Sequence, residues 1–281
     1  MIKKILVALD QDSDTPVATQ YAVQIAHATG AGLTGLAIVD TKEIEASSKG
    51  GGIGSFYHAE KLRENLTTET REKARELIEA FEKRVQNEGL AHVEVVEEGA
   101  SSQRIVEDMK YHDLLVIGMD PHFFYGHPNQ HTSTLAGIFK NSIGPSLLVP
   151  KVFKAVYKVL FATDGGNNAA RTLHQFVNLN MFGRDFDFYV MYVHDKKEND
   201  AELHLQLTVS YLKAHGFSPK VVSVVHKSAE NAILEQVKLL NIDLIVSGGS
   251  AHTGMLGTKF GSTTAHLVEH SPVPLFMDHQ K

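Results

Sequence analysis

The chain has 281 residues, 43% of them hydrophobic and 21% charged, enough apolar material for two ordinary domains that each bury a core. A net charge of -6 argues against a nucleic-acid partner, which would call for a basic face. Without cysteine there is no disulfide framework, no apolar run approaches the roughly 18 residues of a membrane span, and the N-terminus lacks a signal-peptide pattern, so a cytoplasmic protein is expected.

Ile5 to Leu9 is a near-continuous apolar run, as in a strand buried on both faces of a parallel sheet. Asp10 to Asp14 reads as polar loop. From Pro16 onward Ala18, Ala22, Ile25 and Ala26 share one helical face, and Gly30 stops the helix. Leu33 to Val39 is a second strand, and this βαβ order predicts a parallel sheet with right-handed crossovers. Ser47 to Gly54 is a glycine-rich segment expected to form a mobile loop. Leu62, Leu66, Ala74, Leu77, Ile78, Phe81 and Val85 then keep helical spacing with a core-facing stripe. A strand at Val93 to Val96, a helix at Ser102 to Lys110 and an apolar strand ending at Gly118 follow. A loop, a helix and a strand closing at Val149 complete this stretch.

The chain then repeats itself. Lys4-Ile5-Leu6-Val7-Ala8-Leu9-Asp10 returns as Lys158-Val159-Leu160-Phe161-Ala162-Thr163-Asp164. Asp113 to Gly118 returns as Asp243 to Gly248, and Pro145 to Val149 as Pro272 to Met277. The second copy has a shorter helix over Asp200 to His215, a strand at Val221 to Val225 and a helix at Ala229 to Leu240. Residues 1–151 and 152–281 are therefore read as tandem α/β domains. Each is expected to be a five-stranded open parallel sheet with helices on both faces. The joint, Lys151 to Val156, is too short and too ordinary in composition to be a flexible tether, so the two should be docked.

In such sheets ligands bind at the carboxyl ends of strands, where strand order reverses. The loops after Asp10, Asp164, Gly118 and Gly248 lie at such ends. The richest reads Gly248-Gly249-Ser250-Ala251, nine residues, then Gly261-Ser262-Thr263, which opens a helix. Free N–H groups and two hydroxyls at a helix start suit a phosphate.

These residues resemble the universal stress protein family, and the resemblance covers both halves of the chain. Its nucleotide-binding members carry Gly, two residues, Gly, nine residues, then Gly-Ser or Gly-Thr. Gly248, Ala251, Gly261 and Ser262 reproduce the spacing, with alanine for the second glycine, where the added methyl would crowd a phosphate. The resemblance implies ATP or a related adenine nucleotide as ligand, with magnesium as an optional companion. It implies an adenine-contacting aspartate, Asp164, and a hydrophobic contact, Val193. Ser250 and Thr263 complete the expected set. It also implies that the final strands of the two domains pair, here Ser146 to Val149 with Pro274 to Met277, as an intrachain pseudo-dimer. A homodimer of whole chains stays open.

The first half departs further. Gly118-Met119-Asp120-Pro121 puts proline, which fixes φ and lacks an N–H, at the second glycine. Ser133-Thr134 keeps the hydroxyl and loses the glycine, and Asp120 adds negative charge. This copy is expected to bind nucleotide weakly or not at all.

Several other readings compete. Asp10 and Asp164 would also serve as helix caps, as would Ser262. Ser247-Gly248-Gly249-Ser250 resembles the opening of an adenylating pyrophosphatase loop, but it follows a late strand and lacks that loop's aspartate. No Gly-Lys-Ser or Gly-Lys-Thr occurs, so there is no P-loop. His122, His127 and His131 share one loop with Asp120, which leaves a metal site open although the spacing matches no established signature. No general base or activated nucleophile accompanies Ser262, so at most a weak ATPase is expected. A nucleotide-free scaffold is the rival from another class. The two copies differ enough that titration calorimetry with ATP should find at most one tight site per chain; two equal sites would contradict this.

Overall fold

A computed structural model describes residues 1–11, 14–48, 55–123, 133–194, 199–254 and 257–278. The first half runs β1 (Lys4–Leu9), α1 (Thr15–Thr29), β2 (Gly32–Asp40), α2 (Thr41–Ser47), α3 (Ser55–Asn87), β3 (His92–Gly99), α4 (Ser101–Met109), β4 (Leu114–Gly118), α5 (Ser133–Asn141) and β5 (Ser146–Val149). The second runs β6 (Lys158–Thr163), α6 (Asn167–Leu179), β7 (Asp187–His194), α7 (Asn199–Ala214), β8 (Lys220–Val225), α8 (Ala229–Leu240) and β9 (Leu244–Gly248). It ends with β10 (Ala251–Gly254), β11 (Gly257–Phe260), α9 (Ser262–His270) and β12 (Leu275–Asp278).

The main sheet has ten strands in the order β3-β2-β1-β4-β5-β12-β9-β6-β7-β8. Within each half all pairs are parallel. The halves meet at β5 and β12, which pair antiparallel with Leu147 opposite Phe276. The expected pairing of the last strands is thus present. Apolar runs explain it: every residue of these two short strands is buried, so neither can face solvent as an edge.

The cores lie on the two faces of this sheet. Ile5, Val7 and Leu9 of β1 face one cluster with α1, α3, α6 and α7; Leu6 and Ala8 face the other with α4, α5, α8 and α9. Each cluster draws residues from both halves, so the cores are shared across the seam and not closed off domain by domain. Hydrophobic burial therefore holds the halves together as well as each half to itself.

Two sequence landmarks have a structural cause. Asp113 Oδ2 accepts the backbone N–H groups of Lys3 and Lys4 at 2.7 and 3.0 Å. Asp243 Oδ2 does the same for Tyr157 and Lys158 at 3.0 and 2.9 Å. Each aspartate pins the start of the first strand of its copy beside the strand that it opens. The segment after Asp40 was expected to be loop from Ser47; α2 precedes it, capped by Asp40, whose Oδ1 accepts the Glu43 N–H at 3.1 Å. Residues 49–54 lie outside the described residues. No described helix is long and apolar enough to cross a membrane.

The joint is clamped by Tyr21 of α1. Its hydroxyl donates to the Lys154 carbonyl at 2.6 Å and accepts the Lys154 N–H at 3.0 Å, while its ring packs on Phe153 at 4.6 Å. Burial, reinforced by the Asp243 carboxylate and opposed by the Lys154 bond, pushes the phenol up to about 12. The folded state holds this proton more tightly than the unfolded chain does. The resulting stabilisation is complete below about pH 10 and is lost as pH rises toward 12. Tyr21→Phe should cost about 1–2 kcal/mol at neutral pH. Denaturant titrations between pH 9 and 12 should then show a smaller alkaline loss in the variant; an identical loss would remove Tyr21 from the explanation.

Candidate functional site

Strand order reverses between β1 and β4 in the first half and between β6 and β9 in the second. At the second reversal a pocket of about 220 Å³ opens at the carboxyl ends of the strands. Asp164, Val193, Gly248, Ser250 and Thr263 line it together; Ala251, Gly261 and Ser262 lie outside its lining. Asn168 and Thr264 also line it, and neither was singled out from the sequence. Thr264 sits one position beyond the Ser262-Thr263 pair, and Asn168 two positions beyond Gly165-Gly166.

The glycine segment owes its sequence to its own neighbours. A methyl built on Gly248 would come within 2.6 Å of the Ala169 nitrogen, so this glycine lets the first turn of α6 pack on β9. A methyl on Gly249 would land in the ring of Phe139, which belongs to α5 of the first half. The two ends of the motif are joined: Gly261 N–H donates to the Ser250 carbonyl at 2.8 Å, and Ser250 N–H donates to Thr264 Oγ1 at 3.1 Å. Between them the chain forms the antiparallel β10–β11 hairpin, with Ala251 opposite Phe260. The sequence reads as loop here because strands of four residues are too short to display a period-two pattern. Gly261 has φ -62°, so it is not in the left-handed region.

Ala251 is 6% exposed and its methyl belongs to the core cluster that α5 and α9 share. The expected crowding of a phosphate is therefore corrected: this side chain packs inward.

Three helices begin at the pocket. Asn168 and Ala169 of α6, Ala229 of α8, and Thr263 and Thr264 of α9 are on its wall. Their positive dipole ends favour an anion. The N-caps of α6 and α9 are Gly166 and Gly261, which bring no side-chain cap. Ser262 is thus past the cap position, and the cap reading of this serine fails. Asp164 is exposed and its Oδ1 accepts the Gly166 N–H at 2.8 Å, so it braces the turn without being the N-cap of α6. Thr263 Oγ1 faces Glu230 Oε2 at 3.4 Å. The Glu230 backbone N–H and Ser228 hold the Glu230 carboxyl below the usual carboxylate range, with smaller help from Thr263 and His266.

At the equivalent place in the first half the carboxylates are buried. Asp10 is 2% exposed; it accepts the Thr15 hydroxyl and, through Oδ2, the His122 N–H at 2.6 Å. Asp14 is 1% exposed, and its carboxyl lies against Gly118, where an added methyl would overlap it. The N-cap of α1 is Asp14, with no side-chain cap bond, so Asp10 is not a helix cap either. In the second half the residue four places after the aspartate is Asn168, whose amide donates to the Gly249 carbonyl at 3.2 Å. Phe123 is buried with Ile38 and Ile105, the counterparts of Val193 and Ile233. His127 and His131 lie outside the described residues, and no group of three His, Asp or Glu among the described residues is placed to hold a metal.

A larger cavity of about 670 Å³ lies in the seam between the halves. Its wall mixes Lys151 and Lys259 with Asp14, Asp120 and Glu269, and it lacks the glycine motif. The glycine motif and the starts of α6, α8 and α9 are at the smaller pocket.

Since the Ala251 methyl is buried, Ala251→Gly should lower the unfolding free energy by about 1 kcal/mol. It should leave ATP affinity unchanged in calorimetry; a gain in affinity would put the methyl against the ligand after all.

Comparison with known proteins agrees with this geometry. The model of the universal stress protein family matches residues 1–127 and again residues 156–279. Universal stress protein Slr1230 of Synechocystis sp. is 25% identical over 288 residues, covering 98% of this chain and 99% of that protein. A universal stress protein structure from Archaeoglobus fulgidus DSM 4304 has a TM-score of 0.67 at 17% identity, covering 99% of this chain and 98% of its own. A putative universal stress protein from Pseudomonas aeruginosa UCBPP-PA14 gives 0.64 at 16% identity, covering 99% and 93%. The duplicated sequence, the paired half-sheets and these matches agree: the chain belongs to the universal stress protein family and carries the family's domain twice in tandem.

Proposed function

We propose that this protein binds ATP or a related adenine nucleotide through its second half and acts in a stress response through its nucleotide-bound state. One observation carries the reading: the crevice between β6 and β9 is open, with Asp164 exposed at the start of α6, while its counterpart Asp10 is buried and fully engaged. Asp164 then offers a carboxylate to a donor on the adenosine, and Val193 and Ile233 offer apolar sides for the base. The open N–H groups at the start of α9, with the Ser262 and Thr263 hydroxyls, take phosphate oxygens.

The 220 Å³ pocket is smaller than the usual 300–1,000 Å³ of small-molecule sites. It suits the nucleoside portion, with the phosphates extending past Gly261 toward solvent. Asp164 is the charged residue on the described wall, and the positive ends of the helices that begin there favour phosphate charge. Magnesium would enter on the phosphates themselves, because the described residues offer no cage for it.

The Thr263–Glu230 contact favours the second reading, a nucleotide-free scaffold in which Glu230 is the anion at α9. The two readings differ in what the purified protein releases on denaturation. An adenine nucleotide in the released material, found by mass spectrometry, supports the first; its absence together with no ATP heat in calorimetry supports the second.

Gly261→Val should lower ATP affinity by roughly tenfold or more, the loss of one charge-assisted phosphate contact, with the fold intact. Valine accepts φ -62°, so the effect would come from bulk beside the phosphate and not from strain. Wild-type affinity in this variant would remove the phosphate from the start of α9. Glu230→Gln should raise ATP affinity by about two- to fivefold, the size of an exposed like-charge repulsion; a fall would make Glu230 a ligand contact in its own right.

A further inference from the structure

Phe139 stands on α5 of the first half, 4% exposed, yet two of its close neighbours belong to the second half. One is Gly249, which packs so close to the ring that an added methyl would overlap it. The other is Phe260, which meets Phe139 edge-on with centroids 5.6 Å apart and an interplanar angle of 65°. Gly249 lines the pocket, and Phe260 immediately precedes Gly261. One ring from the first half therefore touches the motif segment just inside both its ends. The Ser250–Gly261 and Ser250–Thr264 bonds tie those same ends together. The β10–β11 hairpin between them rests on α5.

A segment with glycines at 248, 249, 254, 257 and 261 loses much conformational freedom on ordering. A fixed wall that removes this freedom in advance spares the ligand that cost, which is the general route by which preorganisation raises affinity. We propose that Phe139 is a positioning residue for the second half's nucleotide loop, so that the first half serves as the wall that shapes its neighbour's site. This inference rests on the nucleotide reading of the pocket. Coupling of this kind is reciprocal, so nucleotide in the second half also steadies α5 of the first.

The test is a pair of complementary changes in the full chain. Gly249→Ala drives a methyl toward the ring and should displace the loop; Phe139→Leu makes room for it. Gly249→Ala alone should weaken ATP binding by roughly tenfold, and the double variant Gly249→Ala with Phe139→Leu should recover to within about threefold of wild type, the scale of coupling between residues in contact. A second readout needs no nucleotide. Hydrogen exchange at amides 248–251 and 258–261 in the ligand-free protein should quicken in Gly249→Ala and slow again in the double variant. A merely structural Phe139 would give additive losses of stability and no recovery of either signal. If the double variant exchanges and binds like Gly249→Ala alone, the proposal is overturned. If wild type binds no ATP but the exchange pattern recovers in the double variant, the wall across the seam stands and the nucleotide reading falls.

Discussion

The antiparallel pairing of β5 with β12 is the constraint on which the rest of this molecule depends. These two strands are four residues each and wholly buried. Left unpaired, each would be an apolar edge with open hydrogen-bonding groups. Pairing removes both edges at once and converts two half-sheets into one. It also lets the apolar layers above and below run continuously from one half to the other. Those layers bring α5 of the first half under the glycine segment of the second, a contact that no single domain could make. Phe176 of α6 packs on Phe276 of β12 at 5.4 Å, so the aromatic packing of the second half also reaches the joining strand.

On this frame the two copies have diverged: the first carries α2 and the 33-residue α3, the second a 16-residue α7 and the β10–β11 hairpin. The frame itself is kept: Asp113 and Asp243 pin the first strand of each copy in the same way. The crevices are not kept. In the first half the Asp10 and Asp14 carboxylates are buried and the chain through His122 and Phe123 folds over them. In the second the corresponding aspartate is exposed, the counterpart of Asp14 is Asn168, and three helix starts face an open pocket. A buried carboxylate held by hydrogen bonds repels a phosphate.

Much of this was legible in the sequence, because the signals were long or repeated. Continuous apolar runs such as Leu114 to Ile117 announce doubly buried strands, and the repeated landmarks announce the duplication. The pairing of the last strands came from the family resemblance, and burial of Leu147 and Phe276 accounts for it. What the sequence hid was short or spatial. The β10–β11 hairpin is too brief to show a period. Gly248 and Gly249 lie against Ala169 and Phe139, one far along the chain and one in the other half, contacts that no local pattern displays. Ala251 looked like a damaged phosphate contact because spacing gives position along the chain and not the direction in which a methyl points. The capping roles suggested for Asp10, Asp164 and Ser262 failed for a related reason, since Asp14, Gly166 and Gly261 hold the cap positions.

The central claim is that two copies of one crevice share a chain and that only the second, with its exposed Asp164, takes nucleotide. Its most direct test is a crystal structure of the full chain grown with ATP. The account predicts nucleotide density in the pocket between β6 and β9, with the base beside Asp164 and phosphate oxygens at the start of α9, and none against Asp10. Nucleotide bound at Asp10, or lodged in the seam between the halves with the β6–β9 pocket empty, would contradict it.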